Sequence, residues 1–132
     1  MTAAKLRAFD ADGRTIDDPT DTEVHDLFAD LNAATPFAIV ERVDREPVGQ
    51  HYFQIHLDYV GNQDLDTDVE PEVEYEVEFR DGGPDRHYHA RIGDEMRFVD
   101  HWELLNRAYR AWHAEDPGLH DILPWVLRRF DS

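Results

Sequence analysis

The sequence predicts a single α+β domain over residues 1–132, in which an antiparallel four-stranded or slightly larger sheet carries two helices on one face. Three observations lead to this prediction. Apolar and polar residues alternate over 51–60, 73–80 and 86–92, as in strands that bury one face. Two other segments place apolar residues at helical spacing. The chain is long enough to form one hydrophobic core without a metal or a disulfide, and it has no cysteine.

The first helix is predicted over 21–32, because Thr20 and Glu23 have the spacing of a capping box. Its apolar stripe consists of Val24, Leu27, Phe28 and Leu31. The second helix is predicted over 95–114, where the stripe consists of Phe98, Trp102, Leu105, Tyr109 and Trp112.

The strands are predicted at 37–43, 51–60, 73–80 and 86–92. The last two form a hairpin, since "DGGPD" between them has the composition of a turn. Three connecting or terminal segments complete the chain. Residues 1–19 are expected to be a polar, partly flexible segment with one short strand, 61–72 an acidic loop, and 119–131 a docked helix or final strand.

Acidic residues dominate the composition. The net charge is −17, with one lysine and twelve arginines. A field of this sign repels phosphate backbones and anionic lipids and attracts basic proteins, so we expect a basic protein partner and neither nucleic-acid nor membrane binding. The first residues lack an apolar leader segment, which predicts a cytoplasmic location.

Two histidines on one strand are the strongest candidates for chemistry. His87 and His89 are expected to face the glutamates of the preceding strand, and with Glu76 or Glu78 they could ligate a metal or act as an acid–base pair. The simpler interpretation is a cross-strand ladder of opposite charges on a solvated face. We favour the ladder, because an open polar face lacks the concave pocket of an active site. We therefore expect no enzyme activity, no metal and no cofactor.

Several short motifs resemble small bacterial immunity proteins of polymorphic toxin systems. They are Phe53-Gln54, then Glu78-Phe79-Arg80-Asp81-Gly82, then Arg86-His87-Tyr88, within a likeness that covers about residues 36–130. Such proteins are small α+β chains that bind and silence a co-produced toxin, often a nuclease or a nucleic-acid deaminase. The resemblance implies a non-enzymatic inhibitor, and an acidic domain suits the basic cleft of such a toxin.

We expect the partner-binding residues to lie in the acidic stretch and on the hairpin. They are Asp64, Asp66, Asp68, Glu70, Glu72, Glu74, Glu76, Glu78, His87 and His89. Two alternatives remain. One is a small metalloprotein or enzyme that uses the two histidines, and the other is a housekeeping domain of a salt-adapted cell whose acidity serves solvation. Salt adaptation would spread the acids over every surface, whereas an inhibitor would concentrate them on one.

Overall fold

The computed structural model describes residues 5–32, 34–60, 72–92 and 101–127. Seven strands and three helices occur in this part of the chain. The strands are β1 (Leu6–Asp10), β2 (Thr15–Asp17), β3 (Phe37–Arg42), β4 (His51–Val60), β5 (Glu72–Asp81), β6 (His87–Ile92) and β7 (Val126–Leu127). The helices are α1 (Asp21–Ala29), α2 (His101–His113) and α3 (Leu119–Ile122), and a single 3₁₀ turn covers Pro84–Arg86.

All seven strands form one antiparallel sheet in the order β2-β1-β3-β4-β5-β6-β7. The predicted α+β class is therefore confirmed, and the seven strands and three helices exceed the four or slightly more strands and the two helices that the sequence predicted. The four predicted strands form the middle of the sheet. The extra strands are the two N-terminal ones and β7, all of them short, so none offers a long alternating pattern in the sequence.

The predicted hairpin is confirmed. β5 and β6 are hydrogen-bonded neighbours, with Val77 opposite Ala90 and Phe79 opposite Tyr88. The chain reverses through residues 82–86, where Gly82 has a φ of +104° that residues with a side chain rarely adopt. This register places alternate residues of both strands on the same side of the sheet.

The core lies on the side of the sheet where all three helices bury their apolar residues. Phe53 of β4 stands at its centre, since its ring contacts those of Phe28 from α1 and of Tyr109 and Trp112 from α2 at centroid distances of 5.6–6.3 Å. The predicted stripe of α1 is buried at Val24, Leu27 and Phe28. The beginning of the predicted second helix, residues 95–100, lies outside the described residues.

Two aspartates hold the turns of the N-terminal segment, whose Leu6 and Ala8 belong to the core. Asp10 is buried, and its Oδ1 accepts hydrogen bonds from the backbone N–H groups of Asp12 and Arg14. Asp18 accepts the N–H groups of Lys5 and Leu6, and these bonds hold the pKa of its carboxyl below the usual value. The short strand predicted in this segment is therefore present as β1, and it pairs with a second strand, β2, that the sequence did not predict.

For the C-terminal segment the sequence predicted a docked helix or a final strand, and the structure contains one of each, α3 and β7. Leu119 of α3 is buried, and the chain then returns to the sheet as β7 beside β6. Trp125 packs edge-on against Phe79 at 4.7 Å between ring centroids and donates its indole N–H to the carbonyl of Leu119. In the part of the chain that the model covers, no helix is long and apolar enough to cross a membrane.

One buried polar group in the core is unsatisfied. The hydroxyl of Tyr109 has no hydrogen-bond partner among the described residues, although the residue is only 2% exposed. Burial raises the pKa of this hydroxyl, so the group is a neutral phenol. An unpaired buried hydroxyl costs stability without contributing a bond.

We therefore predict that Tyr109→Phe stabilises the protein. The expected gain is about 1 kcal/mol in the free energy of unfolding, or about 4 °C in Tm for a domain of this size, measured by calorimetry. Tyr52→Phe is the control, because the hydroxyl of Tyr52 lies 3.5 Å from Nδ1 of His87, and its removal should bring no gain. A loss of stability in Tyr109→Phe would contradict the prediction.

Candidate functional site

The face of the sheet opposite the helices, here called the open face, carries most of the candidate residues. Strand alternation directs the even-numbered residues of β4 and β5 and the odd-numbered residues of β6 to this side. It includes Tyr52, Gln54, His56, Glu74, Glu76, Glu78, Arg80, His87, His89 and Arg91. Most of these side chains are half-buried, so neighbouring side chains cover one another.

A ladder of glutamates paired with histidines and an arginine crosses the open face between β5 and β6. Glu74 contacts Arg91 at 3.6 Å, Glu76 contacts His89 at 3.7 Å, and Glu78 contacts His87 at 3.1 Å, each measured from carboxylate oxygen to nitrogen. The contacts are diagonal, because the residues directly opposite are Arg91 for Glu76 and His89 for Glu78. The geometry matches the cross-strand ladder that we favoured from the sequence.

His87 is the most constrained member of the ladder. Arg80 donates a hydrogen bond from Nε to Nδ1 of His87 at 3.1 Å. A guanidinium can donate hydrogen bonds but cannot accept them, so Nδ1 of His87 is the acceptor and carries no proton. The proton of the neutral ring is therefore on Nε2, which donates to Glu78 at 3.1 Å. Arg80 also donates to Gln50 at 2.8 Å and lies over the ring of Tyr52 at 5.6 Å.

The burial of His87 corrects the picture of a fully solvated face. The residue is 2% exposed and its partner Glu78 has a side chain that is 12% exposed, whereas the His89 and Glu76 side chains are about one-third exposed. The large side chains of Tyr52 and Arg80 lie against His87 and shield it. Sequence reasoning missed this burial, because it depends on the strand register, which aligns Tyr52 with Arg80 and Arg80 with His87.

This arrangement is poorly suited to metal binding or acid–base chemistry. Both ring nitrogens of His87 are engaged by protein groups, so the ring offers no lone pair to a metal and no accessible proton to a substrate. Among the described residues, no group of three or more histidine or acidic side chains could hold a metal ion. The ladder mainly orders the side chains of the open face.

The acidic stretch is only partly visible. Asp64, Asp66, Asp68 and Glu70 lie outside the described residues, and Glu72 belongs to β5, although its side chain is not described. Glu74, Glu76, Glu78, His87 and His89 come together on the open face as the sequence suggested. Each of these three glutamates has a cationic or titratable partner, so the open face itself is not strongly acidic.

Exposed acids occur on other surfaces of the protein as well. They include Asp21, Glu23 and Asp26 on α1, Asp44 in the turn after β3, and Glu115, Asp116 and Asp121 around α3. This spread is what the salt-adaptation alternative expects. No family model, curated protein or solved structure matches the chain, so its function is argued from its own residues.

We predict that zinc does not bind the two histidines with submicromolar affinity. A tight site needs free ligand lone pairs and a closed coordination shell, and His87 has neither. Calorimetric titration with zinc is the measurement, and His89→Ala is the matched variant. Submicromolar binding that disappears in His89→Ala would restore the metalloprotein alternative.

We also predict that the two histidine–glutamate pairs differ in energy. A double-mutant cycle over Glu78→Gln and His87→Ala should give a coupling of about 1–2 kcal/mol, because the charge of Glu78 strengthens a hydrogen bond to His87 that is shielded from water. The same cycle over Glu76→Gln and His89→Ala should give less than about 0.5 kcal/mol, since that pair is more exposed. Chemical denaturation measures both, and equal couplings would refute the assignment of His87 as the anchor.

Proposed function

We propose that the protein is a non-enzymatic binding protein, an immunity-type inhibitor whose open face contacts a basic protein, such as a toxin domain that acts on nucleic acid. The observation that carries the proposal is the one-sided sheet. All three described helices pack on the core face, and the opposite face presents ordered polar and aromatic side chains. An ordered surface of this kind loses little side-chain entropy when it binds.

The carboxylates in the ion pairs of the open face can also form ion pairs with a basic partner. Glu74 and Glu76 are about one-third exposed and are held at 3.6–3.7 Å from Arg91 and His89. An arginine or lysine of the partner can approach the same carboxylates without first ordering them. Tyr52, beside this ladder, adds an aromatic surface of the type that is enriched at protein interfaces.

The acidic stretch supports the choice of a basic partner. Eight carboxylates fall between Asp64 and Glu78, and the last three of them stand on the open face. Such a concentration accelerates the encounter with a positively charged surface. The engagement of both His87 nitrogens also supports a binding role over an enzymatic one.

The test compares two double variants of equal charge. Glu74→Gln with Glu76→Gln removes two carboxylates from the open face, and Asp26→Asn with Asp121→Asn removes two exposed carboxylates from α1 and α3. Association is measured by surface binding kinetics against a panel of basic nuclease and deaminase toxin domains, together with inhibition of their activity. We expect the open-face variant to associate about tenfold more slowly and with a weaker salt dependence.

The control variant should retain the wild-type association rate within about twofold, because its charges lie away from the proposed interface. Equal slowing in both variants would contradict a localised binding face and favour the acidic surface of a salt-adapted protein. Absence of binding and inhibition across the whole panel would reject the immunity function. Thermal unfolding of each variant confirms that the fold is retained.

A further inference from the structure

A small cavity lies where the ends of β3 and β5 and the start of β4 meet the segment that follows α2. Its volume is about 180 Å³, and its walls include Arg42, Arg45, His51, Phe79, Trp112 and His120. This space is large enough for a small ion or molecule. The proposed binding function does not use this cavity.

Arg42 is the unusual residue of the cavity. Its guanidinium stacks on Trp112 at 4.2 Å, and its Nη2 donates to the backbone carbonyls of Trp112 and His113 at 2.6 and 3.3 Å, which caps the end of α2. Among the described residues, Nε and Nη1 of Arg42 have no hydrogen-bond acceptor, and no carboxylate forms an ion pair with it. Burial lowers the pKa of Arg42, as expected for a partly desolvated cation.

The acids around the cavity are engaged elsewhere. Glu115 pairs with Arg45, and Oδ1 of Asp116 accepts the N–H of Gly118 at 2.8 Å. Asp81 lies 3.5 Å from a guanidinium nitrogen of Arg86. These three carboxylates are exposed at the rim, whereas Arg42 is partly buried beside aromatic walls. The cavity therefore contains a cation with unused donors in a protein whose net charge is strongly negative.

We propose that this cavity binds a small oxyanion, a phosphate or carboxylate group, through the unused N–H groups of Arg42. Hydrogen bonds between a guanidinium and an oxyanion are charge-assisted and are stronger than neutral ones. Arg45, which pairs with Glu115, and His120 also line the cavity and carry further N–H groups. Phe79 and Trp112 add aromatic surface to the lining.

The test titrates the full chain with inorganic phosphate and, separately, with acetate, at constant ionic strength set by chloride. Tryptophan fluorescence and calorimetry report binding, because Trp112 lies directly under Arg42. We expect saturable binding of at least one of the two oxyanions, with Kd in the millimolar range or below. Arg42→Gln should weaken binding about tenfold or more, since the loss of one charge-assisted hydrogen bond raises Kd by about this factor. Arg110→Gln is the matched control, as an exposed arginine of α2 outside this cavity, and should leave Kd unchanged.

Because Arg42 also caps α2, the Gln variant can lose structure as well as binding. Circular dichroism checks this, and Arg45→Gln and His120→Gln provide variants that leave the cap in place. A weaker Kd in either of them supports the site. The proposal is overturned if neither oxyanion binds saturably to the wild type, if folded Arg42→Gln binds equally well, or if neither of the other two variants changes Kd.

Discussion

The register of the long central strands is the constraint on which the rest of the structure depends. β4 and β5 pair over their whole length, from His51 opposite Asp81 to Val60 opposite Glu72. A shift by one residue would exchange the two faces of the sheet, because side chains alternate along a strand. Phe53 would then leave the aromatic cluster with α1 and α2, and the glutamates of β5 would enter the core. Both the core and the open face therefore follow from this single alignment.

The same alignment explains why an acidic protein has a nearly balanced face. β5 contributes a glutamate at every second position, and His87, His89 and Arg91 of β6 contact these glutamates at the same spacing. Each of these carboxylates therefore has a close partner on the open face, whereas other exposed acids lie on helices and turns. Some of the acids have structural tasks, as Asp10 and Asp18 do in the N-terminal strands. Net charge alone is consequently a poor guide to which carboxylates are available to a partner.

The sequence predicted the parts of the fold that depend on long periodic patterns. The four central strands, the hairpin and the capping box at Thr20 and Glu23 follow from local spacing, and all are present. β2 could not be predicted, since three residues give no measurable alternation and its pairing depends on contacts such as Asp18 with Leu6. For the C-terminal segment the sequence left helix and strand open, because the two residues of β7 give no pattern. The burial of His87 was missed for a related reason. This burial depends on Tyr52 of β4 and Arg80 of β5, and the alignment of these strands with β6 is fixed by the tertiary structure.

The brevity of the two outer strands has a consequence for self-association. An exposed strand edge is a template on which another chain can add, and a long flat edge invites polymerisation. Among the described residues, one edge is the three-residue β2 and the other is the two-residue β7, which exposes Val126 and Leu127. A sheet with such short ends offers few backbone groups to a neighbouring copy, and like charge keeps copies apart. The protein can therefore keep a broad sheet surface uncovered while its ends resist growth into fibres.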